Sequence, residues 1–206
     1  MQDTPNHSVK TMESTAEKLQ NIVKEKMYVL EGTAHSYAHV DRVVKIATIL
    51  ADKEQADMEL VQAAALLHDI GRAVGEPHNE TGAKLANEIL KTSTNYPQER
   101  IERIAKIVLR HPIAFREGLE TLEEKIVWDA DKIDLLGVIG ITRVFHWLGK
   151  KPFETAADTC FEELKPIYNL LNTPSAQKIA KARYQRTIAS LSALEEELST
   201  EDLKSS

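Results

Sequence analysis

The run Val61-Gln62-Ala63-Ala64-Ala65-Leu66-Leu67 leads directly into His68-Asp69. A helix apolar on nearly all its faces is a buried helix, so this segment carries an imidazole and a carboxylate into the interior. Such groups are costly to bury unless they are hydrogen-bonded, paired or bound to a metal. The pair therefore demands partners. His39, His78, His111 and Asp131 are the candidates elsewhere in the chain.

With 206 residues the chain can build a full core without disulfides. The expectation is one domain over 15–199, after a mobile tail over 1–14 and before a frayed end over 200–206. Hydrophobic residues make up 42% and charged residues 28%, and no apolar stretch approaches the roughly 20 residues of a membrane span. The polar N-terminus lacks the apolar core of a signal peptide, and the single cysteine, Cys160, rules out an intramolecular disulfide. Both point to a cytoplasmic protein with no membrane partner. A formal charge of −6 argues against a nucleic-acid duplex as partner, because that affinity comes from Lys and Arg on phosphates. A few arginines around a cation can still attract a small anion.

The apolar periodicity is helical throughout, which predicts an all-α fold. Helices are expected over Thr15–Val29, Ser36–Lys53, Met58–Ile70, Glu80–Lys91, Gln98–Arg110, from a capping box at Thr121-Leu122-Glu123-Glu124 through Ile133, over Thr155–Leu171, and from Pro174 to about Leu198 behind Thr173. Arg72–His78, with Gly75 and Pro77, reads as a loop. His39 shares the core-facing stripe of Val43, Ile46 and Leu50, and His111 extends that of Ile104 and Val108. Asp131 and Asp134 lie on the side of Val127.

Each candidate taken singly has a plain alternative. His39 would serve as a hydrogen-bonded core histidine, His78 and His111 as boundary residues in water, and Asp131 and Asp134 as acids on a solvated face. Their convergence from separate helices toward one core favours a shared site. Neutral imidazole with carboxylate suits manganese, cobalt, nickel, iron or zinc, and carboxylate also suits magnesium.

The ordered set His39, His68-Asp69 and Asp131, with the flanks Ala38-His39-Val40-Asp41-Arg42-Val43, Leu66-Leu67-His68-Asp69-Ile70-Gly71 and Asp129-Ala130-Asp131-Lys132-Ile133-Asp134, resembles the signature of the HD-domain superfamily of metal-dependent phosphohydrolases. The resemblance covers about 31–149. It implies a helical HD bundle with additional C-terminal helices over 153–199, and the stretch Leu171-Asn172-Thr173-Pro174 through Ala182-Arg183 is similar to the tail of small bacterial members. It further implies that His39, His68, Asp69 and Asp131 bind a divalent ion, that Asp131 rather than Asp129 or Asp134 is the fourth ligand, and that His78 and His111 fall where two-metal members place extra ligands. One or two ions per chain follow.

The implied reaction is hydrolysis of a phosphate ester or anhydride of a small molecule, a nucleotide above others. Asp69 and Asp134 take the catalytic roles, Asp134 orienting a water or shuttling a proton, with support of a ligand from behind or a place on the helix surface as its plain alternatives. Arg42, Arg72, Lys132 and His35 are the expected substrate contacts, with Arg110 also adjacent to a ligand. Ile70-Gly71-Arg72-Ala73 departs from the acidic pair of the alarmone-hydrolase branch. Tyr37, Phe115, Trp128, Phe145 and Trp147 are available to stack on a base, though aromatics at helical spacing usually belong to a core. An HD-type diiron oxygenase and a non-catalytic, metal-stabilised sensor or interaction module remain as alternatives. The amphipathic C-terminal helices offer a surface for a homo-oligomer.

Overall fold

The computed structural model describes residues 14–200 and 203–204. The expected mobile tail lies outside the described residues except for residue 14, and so does most of the expected frayed end.

Among the described residues there are ten α-helices and no strand, so the all-α expectation holds. They are α1 (Thr15–Lys26), α2 (Tyr37–Glu54), α3 (Met58–Leu67), α4 (His78–Ser93), α5 (Gln98–Arg110), α6 (Leu122–Ile133), α7 (Gly137–Trp147), α8 (Phe153–Thr159), α9 (Lys165–Leu170) and α10 (Pro174–Ser199). The main core draws on α1 to α6 with α9 and α10, and a smaller cluster of Val144, Cys160, Leu164 and Leu191 joins α7 to the chain's end. Among the described residues no helix is long and apolar enough to cross a membrane.

Local chemistry sets the boundaries. Ser14 and Glu17 cap α1 reciprocally, and Thr121 and Glu124 do the same for α6, satisfying amides that a helix start leaves orphaned. Asp57 accepts from Leu60 N at the start of α3, and Thr173 from Ala176 N at the start of α10. Helix α3 stops at Leu67, earlier than the pattern predicts. His68 and Asp69 leave its ladder and a short 3-10 turn, Ile70–Ala73, follows, running from the expected end of the helix into the segment expected to be loop. The first residue of α4 is His78, two before the expected start. A β-carbon on Gly71 would lie 2.0 Å from the His78 carbonyl oxygen and 2.5 Å from Gly82 N. Only glycine lets α4 rest on this turn, and that contact carries His78 to Asp69.

Helix α7 is absent from the sequence-based expectation. Gly137 and Gly140 and the β-branched Val138, Ile139, Ile141, Thr142 and Val144 disfavour a helix locally. Packing against α10 compensates, and Gly137 N, at φ +78°, donates to Thr187 Oγ1 over 2.7 Å. The expected helix over Thr155–Leu171 is α8 and α9 joined by a π turn, Cys160–Leu164. Asp129 pins the corner between α9 and α10 by accepting from Asn172 N, Asn172 Nδ2, Thr173 N and Thr173 Oγ1 at 2.8–2.9 Å. This gives Asp129 a structural task apart from the cluster below.

Candidate metal centre

Every proposed ligand sits at a helix end. His39 is in the first turn of α2, His68-Asp69 just past α3, His78 at the start of α4, His111 just past α5 and Asp131 in the last turn of α6. Helix ends at one side of the bundle let six side chains from five helices converge while the helix bodies stay apolar. His39, His68, Asp69, His111 and Asp131 are all buried.

Hydrogen bonds fix the orientation of four imidazoles. His68 Nδ1 donates to Ala65 O over 2.7 Å and His111 Nδ1 to Val108 O over 2.6 Å. A carbonyl only accepts, so in both rings the proton is on Nδ1 and the Nε2 lone pair faces inward. His39 Nδ1 meets Asp134 Oδ2 at 2.8 Å, and His78 Nδ1 meets Glu76 Oε2 at 2.8 Å, a carboxylate–imidazole pairing common behind metal ligands.

The inward atoms form two groups that share Asp69. His39 Nε2 lies 3.2 Å from His68 Nε2, 3.4 Å from Asp131 Oδ1 and 3.7 Å from Asp69 Oδ2. On the other side, Asp69 Oδ1 lies 3.5 Å from His111 Nε2 and 3.8 Å from His78 Nε2. Ligand atoms about 2.1 Å from one ion stand roughly 3.0–3.5 Å from each other, close to the spacing found. His78 Nε2 is buried with no hydrogen-bond partner. An orphaned lone pair and a second one held against a neighbouring nitrogen are the pattern a cation resolves, and three overlapping sets, His35 with His39 and Asp69, His39 with His68 and Asp131, and Asp69 with His78 and His111, are close enough to bind metal ions.

Charges in the cluster are mutually compensated. Burial opposes ionisation of Asp69 and Asp131, but His68 and the other nearby imidazoles with Arg72 hold the first carboxyl well below its ordinary value, and Lys132 with His39 does so for the second. Burial pushes His68 down to about 3 and lowers His35 and His78. At His39 burial is outweighed by the hydrogen bonds to Asp131 and Asp134, which raise it.

A pH dependence follows. Below the ordinary histidine value of 6.5 the unfolded chain binds protons that folded His35, His68 and His78 refuse, and further down the lowered carboxyls Asp69, Asp131 and Asp134 lose their contribution. His39 opposes this, since its contribution is complete below 6.5 and fades as pH rises through its raised value. The metal-free protein is expected to lose stability steadily as pH falls from 6.5. Urea unfolding across that range checks it, and a flat or rising stability would contradict it.

The basic residues divide. Arg72 Nε donates to Asp69 Oδ1 over 2.7 Å, His35 Nδ1 meets Asp69 Oδ2 at 3.0 Å, and Lys132 Nζ donates to Asp131 Oδ2. All three are at the cluster. Arg42 is not: its fork closes on Asp134 over 2.7 and 2.9 Å, behind His39. Arg110 turns away to Glu120 and Glu124. Trp128 is wholly buried and belongs to the core.

Asp134 is fully buried on the Nδ1 side of His39, and its oxygens also accept from Arg42 and Arg143. This geometry favours, of the roles expected for Asp134, the support of a ligand from behind, and makes it a positioning residue. Asp134→Asn is expected to weaken metal affinity about 10- to 100-fold with the helical content unchanged. Competition with a chelating dye checks it, and unchanged affinity would contradict it.

Two contributors escaped the sequence reading. Arg143, buried on α7, donates from Nε to Ala34 O over 3.0 Å and from Nη1 to Asp134 Oδ2 over 3.0 Å, tying the loop before α2 to the back of the site. An arginine at i+9 from an aspartate gives no local signal. Glu76, which orients His78, stands on an exposed loop where an acid attracts no notice.

The HD domain family model matches residues 36–136, a span that holds all six candidate ligands and Asp134. The chain belongs to the HD-domain superfamily. It is 28% identical over 195 residues to the Bacillus subtilis protein YpgQ, described as uncharacterized, covering 85% of this chain and 90% of that one. The crystal structure of YpgQ in complex with ADP superposes with a TM-score of 0.72 at 25% identity, covering 88% of this chain and 97% of that one. A predicted HD superfamily hydrolase from an uncultured Thermotogales bacterium gives 0.65 at 29% identity, covering 87% and 91%. A 36% identity over 167 residues, 73% of this chain, to the tRNA (cytidine(56)-2'-O)-methyltransferase of Thermoplasma volcanium spans only 46% of that protein. These relationships support hydrolase activity in general.

Proposed function

We propose that this protein is a metal-dependent phosphohydrolase that cleaves a phosphate ester or anhydride of a small molecule, a nucleotide. The observation that carries the reading is Asp69, whose Oδ2 faces His39 and His68 while its Oδ1 faces His78 and His111. That arrangement suits two ions sharing one carboxylate, with Asp131 completing the first group. Divalent ions held so would lower the pKa of a water from 15.7 toward about 7 and polarise a phosphoryl oxygen.

The chain's own residues supply the remainder. Arg72 and Lys132, each resting on a candidate ligand carboxylate, stand where they neutralise phosphoryl oxygens. His35, a quarter exposed at the edge of Asp69, is a donor toward the leaving group or substrate. Asp134 holds His39 in one tautomer. The nucleotide class is favoured by the ADP found with YpgQ, a property of that protein.

The test is a panel of nucleotides and simple phosphate esters with manganese, magnesium, cobalt, nickel or zinc, read by phosphate and pyrophosphate release. Turnover that needs the metal and favours nucleotides is the expected result. No release with any combination, or oxygen consumption by an iron-loaded protein in its place, overturns the reading.

A further inference from the structure

Behind the cluster, on the far side of Asp134, an open depression of about 340 Å³ is lined by Thr33, Ser36, Arg42, Thr142, Arg143 and His146. Its charges do not balance. Arg42 and Arg143, the two guanidinium groups that line it, both donate to the single carboxylate of Asp134. One positive charge is left over. Asp41, next to Arg42 in the chain, is paired with Lys45 at 2.7 Å and brings no net relief.

Arg143 is buried yet lines the depression, and Arg42 is only a third exposed. Surplus charge held in low-dielectric surroundings attracts an anion far more strongly than surface lysines in water do. With Arg42 Nε and Nη2 on Asp134 and Arg143 Nε and Nη1 on Ala34 O and Asp134, each guanidinium keeps one outer nitrogen, Arg42 Nη1 and Arg143 Nη2, to donate to a phosphate oxygen. The Ser36 hydroxyl lines the depression and makes no capping bond to its own helix, whereas Thr142 Oγ1 donates to Val138 O and Thr33 Oγ1 accepts from His35 N.

We infer that this depression is a second site, separate from the metal centre, that binds a phosphate group between Arg42 and Arg143. The loop 32–36 divides the two sites: His35 reaches Asp69 on one side, while Thr33 and Ser36 line the depression on the other. Asp134 links them, since it accepts from both arginines and pairs with His39. The inference goes beyond the hydrolase reading and stands without it, because its test uses metal-free protein and reads no turnover.

The experiment is calorimetric titration of chelator-treated protein with inorganic phosphate and, in a separate arm, with ADP. Saturable phosphate binding is expected, retained in Arg72→Gln, where the metal-centre arginine is lost. The exposed Thr142 offers a variant that leaves the Asp134 contacts alone. Thr142→Glu is expected to weaken binding about tenfold or more by placing a carboxylate at the rim, while Thr142→Gln of similar bulk retains it. ADP weakened in parallel by Thr142→Glu identifies a nucleotide's phosphates as a ligand; ADP indifferent to it identifies free phosphate. Absence of saturable phosphate binding, equal binding by Thr142→Glu, or loss of binding in Arg72→Gln overturns the inference.

Discussion

Asp69→Ala is expected to lower metal-dependent phosphate release by roughly a thousandfold or more, about 4 kcal/mol of transition-state stabilisation, while the protein stays folded. Asp69 is the carboxylate common to both groups of inward-facing nitrogens, at 3.7 Å from His39 and His68 and at 3.5 and 3.8 Å from His111 and His78. With two ions held as proposed, its removal would take a ligand from each at once, and it leaves Arg72 facing four imidazoles. The fold does not depend on it in the same way. The apolar body of α3 and the Gly71 contact with α4 are untouched, so the lost contacts to Arg72 and the imidazoles fall on the cluster and not on the core. Initial rates at saturating metal with far-ultraviolet circular dichroism separate the two effects. A rate within tenfold of the parent would mean that Asp69 is not a shared ligand.

The second large effect is on stability. Asp129→Ala is expected to cost about 3 kcal/mol, because four donors from Asn172 and Thr173 lose their buried acceptor together. Thr173 is doubly placed, donating to Asp129 and capping α10 at Ala176 N, so the loss frees the helix start as well. At 2–4 °C per kcal/mol for a chain of this size, the midpoint should fall by about 6–12 °C. Metal affinity should be unchanged, because Asp129 points to the α9–α10 corner and Asp131 to the cluster. Thermal unfolding with a metal titration checks both halves, and loss of metal binding without loss of stability would reverse the assignment.

These two aspartates, two residues apart on one helix, show what the sequence can and cannot convey. The apolar run before His68 and the stripes under His39 and His111 are facts of periodicity, and the structure brings all three histidines into one cluster. The capping box at α6 follows from hydrogen-bonding chemistry local to four residues. Helix α7 was not legible because its glycines and β-branched residues argue against a helix, and only its packing on α10 and the Gly137–Thr187 bond overrule them. Arg143 went unseen with it. The direction of Arg42 was equally hidden: adjacency to His39 in sequence suggested a substrate contact, whereas its side chain reaches back to Asp134 at the end of another helix. Local pattern thus marked the groups that must converge. The groups that hold them in place come from distant segments, where spacing carries no signal.

The central claim is that the convergent imidazoles and carboxylates form a two-ion centre. Elemental analysis and native mass spectrometry of protein purified without chelator, then reloaded with manganese or zinc, test it most directly. Two ions per chain are predicted, falling to one when His78→Ala and His111→Ala are combined. A parent chain that binds no ion after reloading, or a double variant that still binds two, would contradict the account.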